Sequence, residues 1–216
     1  MELVLQSLPV LLWAALITLA LAVGSMIIGL LIGVFTALAR ISKNRVLQKT
    51  AAFYISVIRG TPLLVQIYVV YYGLPQIGIA LDPVTSGIIA LSLNVGAYLS
   101  ESFRAAIQSV DKGQMEAAAS LGMTYGQAMR RIIIPQSIRT AIPTIGNTYI
   151  GLLKDTSLVS VITVTELLQM TSLLIAKTFE PLTLYLTAGA IYWALSAIFT
   201  ALQARVEVRV ARHVRQ

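Results

Sequence analysis

The sequence predicts an all-α integral membrane protein with five transmembrane helices. Three observations carry that prediction. Of the 216 residues, 57% are hydrophobic and 12% are charged, against about 45–50% and about 25% in soluble globular domains. The apolar residues are gathered into runs long enough to cross a hydrocarbon core, which takes about 20 helical residues. The basic residues cluster at alternate ends of those runs, as the positive-inside rule requires of a multi-pass chain.

The first span lies within Leu8–Ala39. It is longer than one bilayer, so it tilts or projects. It is also too long for the apolar core of a signal peptide and has no basic segment before it. Gly29 and Gly33 form a Gly-x-x-x-Gly pair on it, next to Gly24, a pattern that lets a second helix approach closely. The second span runs from about Ala52 to about Tyr72. Pro62, within "IRGTPLLVQ", is expected to break or kink it and to free backbone groups there. The third covers about Val84–Ala106, the fourth about Ile138–Val164 and the fifth about Leu182–Leu202.

Arg40, Lys43, Arg45 and Lys49 follow the first span. Arg104, Lys112, Arg130, Arg131 and Arg139 surround the link from the third to the fourth, and Arg205, Arg209, Arg212 and Arg215 follow the fifth. The opposite ends, Met1–Pro9, Gly73–Pro83 and Thr165–Pro181, hold only Lys177. The N-terminus is therefore expected outside and the C-terminus in the cytoplasm, which an odd number of spans requires. The formal net charge of +7 is thus topological, and nucleic acid is not an expected partner. The single histidine, His213, reads as a solvated tail residue, and with no cysteine neither a disulfide nor a thiolate site is available.

Between the third and fourth spans runs "MEAAASLGMTYGQAMRRIIIP", residues Met115–Pro135. It is too polar and interrupted to cross a bilayer, yet too patterned for an open loop. Asp111 with Gln114 and Thr124 with Gln127 have capping-box spacing, so two short helices are expected. Gly122 is placed to end the first and Pro135 to stop the second. The first displays Ala117, Ala118, Ala119 and Ser120; the second carries Met129, Ile132, Ile133 and Ile134 beside Arg130 and Arg131. The expected product is a helical elbow over about 111–135 at the membrane surface. Its shape suits either a docking partner or a connector folded back on the bundle.

Ionisable side chains at membrane depth are costly and mark functional positions by default. Arg59, Glu101, Lys154 and Asp155 qualify. Asn94, Tyr98 and Glu101 recur at i, i+4 and i+7 on one face of the third span. Glu101 is either a partner for a substrate ammonium, which needs one on leaving water, or an ion-pair partner of Arg104 three residues on. Thr148, Gly151 or Leu152, and Asp155 share a face of the fourth span, where Gly151 leaves room for close approach. Lys154 and Asp155 are neighbours about 100° apart on a helix, so they cannot face one spot. One serves a cavity and the other an interface or the headgroups, or both only stabilise the bundle. Arg59 is expected to snorkel to the membrane surface.

The elbow also carries a resemblance. Glu116, Ala117, Ala118, Gly122, Ile132 and Pro135 match the spacing of the EAA motif of ABC importer permeases, with Ile134 where that motif has leucine. "FYISVIRGTPLLVQIYVVYYGLPQ" and "GNTYIGLLKDTSLVSVI" look like the polar amino acid branch of these permeases. "YYGLPQIGIALDP" and "LLKDTSL" resemble bacterial L-cystine permeases in particular. The likeness covers nearly the whole chain. It implies a type I ABC importer permease fold, a single permease domain over 1–216, and a plasma (inner) membrane location in a bacterium. It implies that the elbow is a coupling helix, docking a cytoplasmic ATPase through Glu116, Ala117, Ala118 and Gly122. A second permease copy or a paralogue would complete the pathway, and an extracytoplasmic substrate-binding protein would feed it. The resemblance places Thr61 and Gln66 near a gate. It adds Asp155, Thr156 and Ser157 to a substrate pathway that also holds Asn94, Tyr98, Glu101 and Thr148.

No Gly-x-x-x-x-Gly-Lys-Ser/Thr loop is present, so ATP and its magnesium are expected on the separate ATPase subunit, and this chain is expected to be a transport subunit without a cofactor or catalytic site of its own. No His-Glu-x-x-His or Gly-x-Ser-x-Gly element suggests an intramembrane enzyme. The competing reading is an ATP-independent amino acid secondary transporter or channel. Internal repeats would support it, none is evident, and the elbow would then lack a purpose. The substrate expected is a polar amino acid. The lean towards L-cystine rests on the resemblance, and the residues themselves do not separate one polar amino acid from another.

Overall fold

A chain in hydrocarbon must satisfy its backbone internally, and helices do this throughout: the computed structural model describes residues 2–212, with side chains as far as 210, and contains no strand among them. His213 and Arg215, read from sequence as part of a basic tail, lie outside the described residues. Among the described residues, three helices are long and apolar enough to cross a membrane, or up to five spans if each of two bent helix pairs counts as one.

Helix α1 (Glu2–Ile41) is 40 residues of nearly unbroken apolar sequence. At about 1.5 Å per residue it is about 60 Å long, twice a hydrocarbon core of about 30 Å, so it projects or tilts. It packs lengthwise on α4 (Pro83–Gln108). The Gly-x-x-x-Gly pair is the reason the two axes come so close. A Cβ on Gly33 would lie 2.8 Å from Leu99 Cβ, and one on Gly29 would collide with Val95, while Gly96 of α4 meets Ile32 of α1. Gly24 faces open space and takes no part. Helix α4 starts at Asp82, which accepts from the Thr85 backbone N–H at 3.0 Å. Hydrogen bonding from Thr85, side chain and backbone, holds the exposed Asp82 carboxyl below the usual carboxylate range.

The span expected over about Ala52–Tyr72 is broken at Pro62, as expected, and starts earlier than the apolar run suggested. Helix α2 (Arg45–Gly60) begins earlier, capped by Asn44, whose side chain accepts from Val46 N at 2.9 Å. It buries Ala51 and Ile55 and is tied to α4 by the Tyr54 hydroxyl, which donates to the Leu93 carbonyl at 2.6 Å. Thr61 and Pro62 are extended, as a proline imposes on itself and its predecessor. Helix α3 (Leu63–Tyr68) then continues through a π turn (Val69–Gly73) and a 3-10 turn (Leu74–Ile77). The two arms meet at 107°.

The elbow comprises α5 (Lys112–Ser120) and α6 (Tyr125–Ala128). Gly122 ends α5 at φ +75°, with its N–H on Ala119 O and that of Met123 on Ala118 O, the paired bonds of a Schellman cap. The Thr124–Gln127 capping box is complete in both directions. The Asp111–Gln114 pair does not close: Asp111 accepts from Gly113 N at 2.7 Å instead, and Gln114 accepts from Gln136. Pro135 also departs from expectation, because it stops nothing. A π turn over Met129–Ile133 joins α6 to α7 (Ile134–Asp155), and Pro135 sits in the first turn of α7. The wide turn shifts the hydrogen-bond register there, so a missing N–H is tolerated.

Helix α7 passes into a 3-10 stretch, Thr156–Ile162, and then, across a bend of 50°, into α8 (Leu167–Thr178). The Thr165–Pro181 segment, expected as a connecting face, is therefore mostly helix. Leu167 of α8 is buried with Leu11 and Ala15 of α1 and Ala188 of α9 (Pro181–Arg212), with Met170 and Leu174 packed against them. The main core joins Leu21 and Met26 of α1, Ile67 of α3, Leu91, Val95 and Leu99 of α4, and Leu152 of α7.

Candidate functional site

The break between α2 and α3 opens into a cavity of about 360 Å³ that α4 and α7 complete. A proline break leaves carbonyls without donors. Gln66, one turn into α3, supplies them: its Nε2 lies 2.7 Å from Ile58 O, 3.0 Å from Thr61 O and 3.0 Å from Thr61 Oγ1. Its Oε1 accepts from Asn94 Nδ2 at 3.1 Å, which locks the break onto α4. Thr61 Oγ1 donates to Val57 O at 2.9 Å.

The walls are Thr61, Pro62 and Leu63 from the break, Asn94, Val95 and Tyr98 from α4, and Thr148, Gly151, Leu152 and Asp155 from α7. The i, i+4 spacing of Asn94 and Tyr98 and the heptad-like spacing of Thr148, Gly151 and Asp155 put each set on one helical face, and packing turns both faces to the same space. Arg59, the last basic residue of α2, stands 5.1 Å above the Tyr98 ring, within cation–π range. Thr148 Oγ1 is engaged by Thr144 O at 2.8 Å. The Asp155 side chain makes no hydrogen bond and no ion pair among the described residues, with Lys154 acting on it only through space. Lys154 is absent from the lining, as the angular separation of neighbours requires.

Four residues assigned by sequence to the pathway lie off this cavity's walls. Gln66 is consumed by the break. Glu101 is held by Arg104, with Nη2 at 2.7 Å and Nε at 3.1 Å, and by Arg40 at 3.8 Å. Of its two sequence readings, the geometry shows the ion pair. Thr156 is fully buried, donating to Leu153 O at 2.8 Å. Ser157 donates to Lys154 O at 2.7 Å. On the elbow, Glu116, Ala117 and Gly122 are exposed, beside Leu121 at 80% and Tyr125 at 58%. Ala118 points the other way and is buried, seating α5 on the rest of the elbow rather than offering itself to a partner.

Sequence reasoning missed Glu166, a fully buried carboxylate. It caps α8, accepting from Leu168 N at 2.9 Å and Gln169 N at 2.8 Å, and takes a bond from the Tyr192 hydroxyl at 2.7 Å. An acid directly ahead of the apolar run "LLQM" was the available signal for a helix start.

Residues 29–212 match the family described as binding-protein-dependent transport system inner membrane component. The probable amino-acid ABC transporter permease protein YckA of Bacillus subtilis (strain 168) is 43% identical over 99% of this chain and 94% of its own length. The L-cystine transport system permease protein TcyB of the same organism is 44% identical over 99% and 92%. A crystal structure of an amino acid ABC transporter with histidines superposes at a TM-score of 0.91, with 40% identity over 95% of this chain and 96% of that one. An inward-facing structure of the MetNI methionine ABC transporter, at 18% identity and a TM-score of 0.73, shares the fold. This chain therefore belongs to the binding-protein-dependent transport system inner membrane component family and is an ABC amino acid permease subunit of the type I importer fold.

Proposed function

We propose that this subunit passes a polar amino acid through the cavity between the α2–α3 break, α4 and α7, with Asp155 meeting the substrate ammonium. One observation carries the assignment. Among the described residues Asp155, on the cavity wall, forms no ion pair and feels only its neighbour Lys154 through space, whereas Glu101 is neutralised by two arginines. About 360 Å³ falls within the usual range for small-molecule sites. Thr61, Asn94, Tyr98 and Thr148 supply the remaining polar surface. Gln66 satisfies the carbonyls of the break behind them, and Thr156 and Ser157 fix the end of α7 that carries Asp155.

Two separate ATPase subunits bind ATP and magnesium and dock at Glu116, Ala117, Leu121 and Gly122; this chain contributes no ATP site or cofactor. A second copy or a paralogue closes the pathway. The elbow faces the cytoplasm, the N-terminus lies outside the inner membrane, and an extracytoplasmic binding protein delivers substrate to the α8 side. L-cystine leads among the substrates because of the 44% identity to an L-cystine permease. An arginine transport permease at 40% makes arginine the first competitor to assay.

Reconstitution of the full assembly in proteoliposomes, with uptake of labelled L-cystine and arginine driven by internal ATP, tests this. Asp155→Asn is expected to cut uptake by at least about tenfold, the loss of one charge-assisted contact, with the assembly intact on gel filtration. Full uptake by Asp155→Asn would remove Asp155 from the pathway. Uptake indifferent to ATP would favour the channel or secondary-transporter reading.

A further inference from the structure

Two grooves meet on the flank of the molecule, away from the cavity around Asp155. One, of about 280 Å³, runs between α1, α4 and α7 and is walled, apart from Ser137, by apolar side chains, among them Val34, Phe103, Ile138 and Ile145. The other, of about 530 Å³, opens where α1 ends beside the elbow, with Ser42, Lys43 and Tyr125 at its mouth. Leu38 and Ile134 line both, so the two adjoin and together offer a groove that is apolar towards Ile145 and polar at the Lys43 end.

Its dimensions are those of a lipid tail. From Ile134 to Ile145 the α7 wall extends about 16 Å at about 1.5 Å per residue, one leaflet of a hydrocarbon core about 30 Å thick. Its mouth offers donors that nothing else takes. Lys43 and the Tyr125 hydroxyl have no partner among the described residues. Ser42 Oγ accepts from Asn44 N at 3.1 Å, and its O–H has no acceptor. Ammonium and hydroxyl donors converge on phosphate oxygens, which are strong acceptors. The segment entering the mouth, Arg40–Lys49, holds four basic residues and no acid, so nothing there would balance a cationic headgroup.

The geometry points to a binding site for one anionic phospholipid of the cytoplasmic leaflet, its phosphate on Ser42, Lys43 and Tyr125 and one acyl chain between α1 and α7. The leaflet rests on the proposed cytoplasmic elbow; the site itself does not. A lipid seated there touches both the end of α1 and the elbow, and so links membrane composition to the part of the chain that docks the ATPase.

Native mass spectrometry of the full chain, purified with its accompanying subunits and exposed to mixed micelles of phosphatidylglycerol or phosphatidylcholine, tests the site. One phosphatidylglycerol per chain should be retained in preference to phosphatidylcholine. Lys43→Gln should reduce that retention about fivefold, the share of one lysine at about 1 kcal/mol, and abolish the preference. Leu38→Trp, at the junction of the two grooves, should reduce retention of both lipids. Lys43 is solvent-exposed and Leu38 is 41% exposed, so both variants should fold. Equal retention of the two lipids by the native chain, or unchanged retention in both variants, would overturn the proposal. So would dissociation of permease pairs by Leu38→Trp with lipid retention unchanged, since a second copy would then fill the groove. The assay is blind to sidedness, so an elbow found outside the cell would refute only the assignment of leaflet.

Discussion

At Gly33 a missing side chain sets the distance between two helices. An added Cβ there would lie 2.8 Å from Leu99 Cβ and 3.3 Å from Gly96 O, and the second contact is backbone that cannot rotate away. Gly33→Ala is expected to destabilise the α1–α4 pair by about 1–3 kcal/mol, the range for overpacking, seen as a lower melting temperature in detergent. An unchanged melting temperature would show that the axes can spread at little cost. The same scale separates the two acids at membrane depth. Glu101 and Asp155 look equivalent in sequence, one turn-spaced with polar neighbours, the other beside a lysine. Arg104 makes the difference, three residues on and 2.7 Å away as local spacing anticipates, and Arg40 adds to it from the far end of α1 at 3.8 Å.

At the scale of elements, the α2–α3 break is a proline defect repaired from within. Pro62 causes it and Gln66 closes it, with Asn94 holding the repair in place. Gln66→Leu preserves most of the volume and removes the amide. It should leave the Ile58 and Thr61 carbonyls short of donors at a cost of about 1–3 kcal/mol, and should lower uptake without altering ATPase docking. Equal loss of docking and uptake would mean the whole fold had failed. The elbow shows the same economy. Gly122 adopts a left-handed φ that a branched residue resists at about 1–2 kcal/mol, so Gly122→Val should strip the ATPase from a gentle-detergent pull-down while the permease stays folded. Retention of the ATPase in near-native amount would move the docking surface elsewhere.

Across the whole molecule, Tyr125–Ile162 forms one helical run joining the elbow to the cavity wall at Asp155. A displacement of the elbow by a docked ATPase would therefore reach the proposed substrate site without an intervening flexible loop. The Cys-free chain allows the orientation to be tested directly. Phe179, 84% exposed between α8 and α9, and Leu121, 80% exposed on the elbow, lie at opposite ends of the proposed topology. A membrane-impermeant thiol reagent should label Phe179→Cys in intact cells and Leu121→Cys only after permeabilisation. The reverse pattern would invert the topology and with it the partner assigned to each face.

The sequence by itself determined the apolar segments, up to five spans by length and composition, the clustering of basic residues at their alternate ends, and the elbow with its glycine stop. Each of these is written in local periodicity, local charge or a motif a few residues long. It also named Asn94, Tyr98, Thr148, Gly151 and Asp155 as face-sharing sets, since helical period is local. Only the tertiary structure decided that those two faces meet at the α2–α3 break, that Gln66 is occupied across the break and by Asn94, that of the two readings of Glu101 the Arg104 ion pair forms with Arg40 added to it, and that Ala118 is buried. It also decided that Pro135 continues a helix and that Thr165–Pro181 is largely one. These outcomes turn on which helix lies against which, and on where a freed carbonyl or an unpaired charge finds its partner, and in a membrane those choices are made by packing and hydrogen bonding between segments rather than by hydropathy along one.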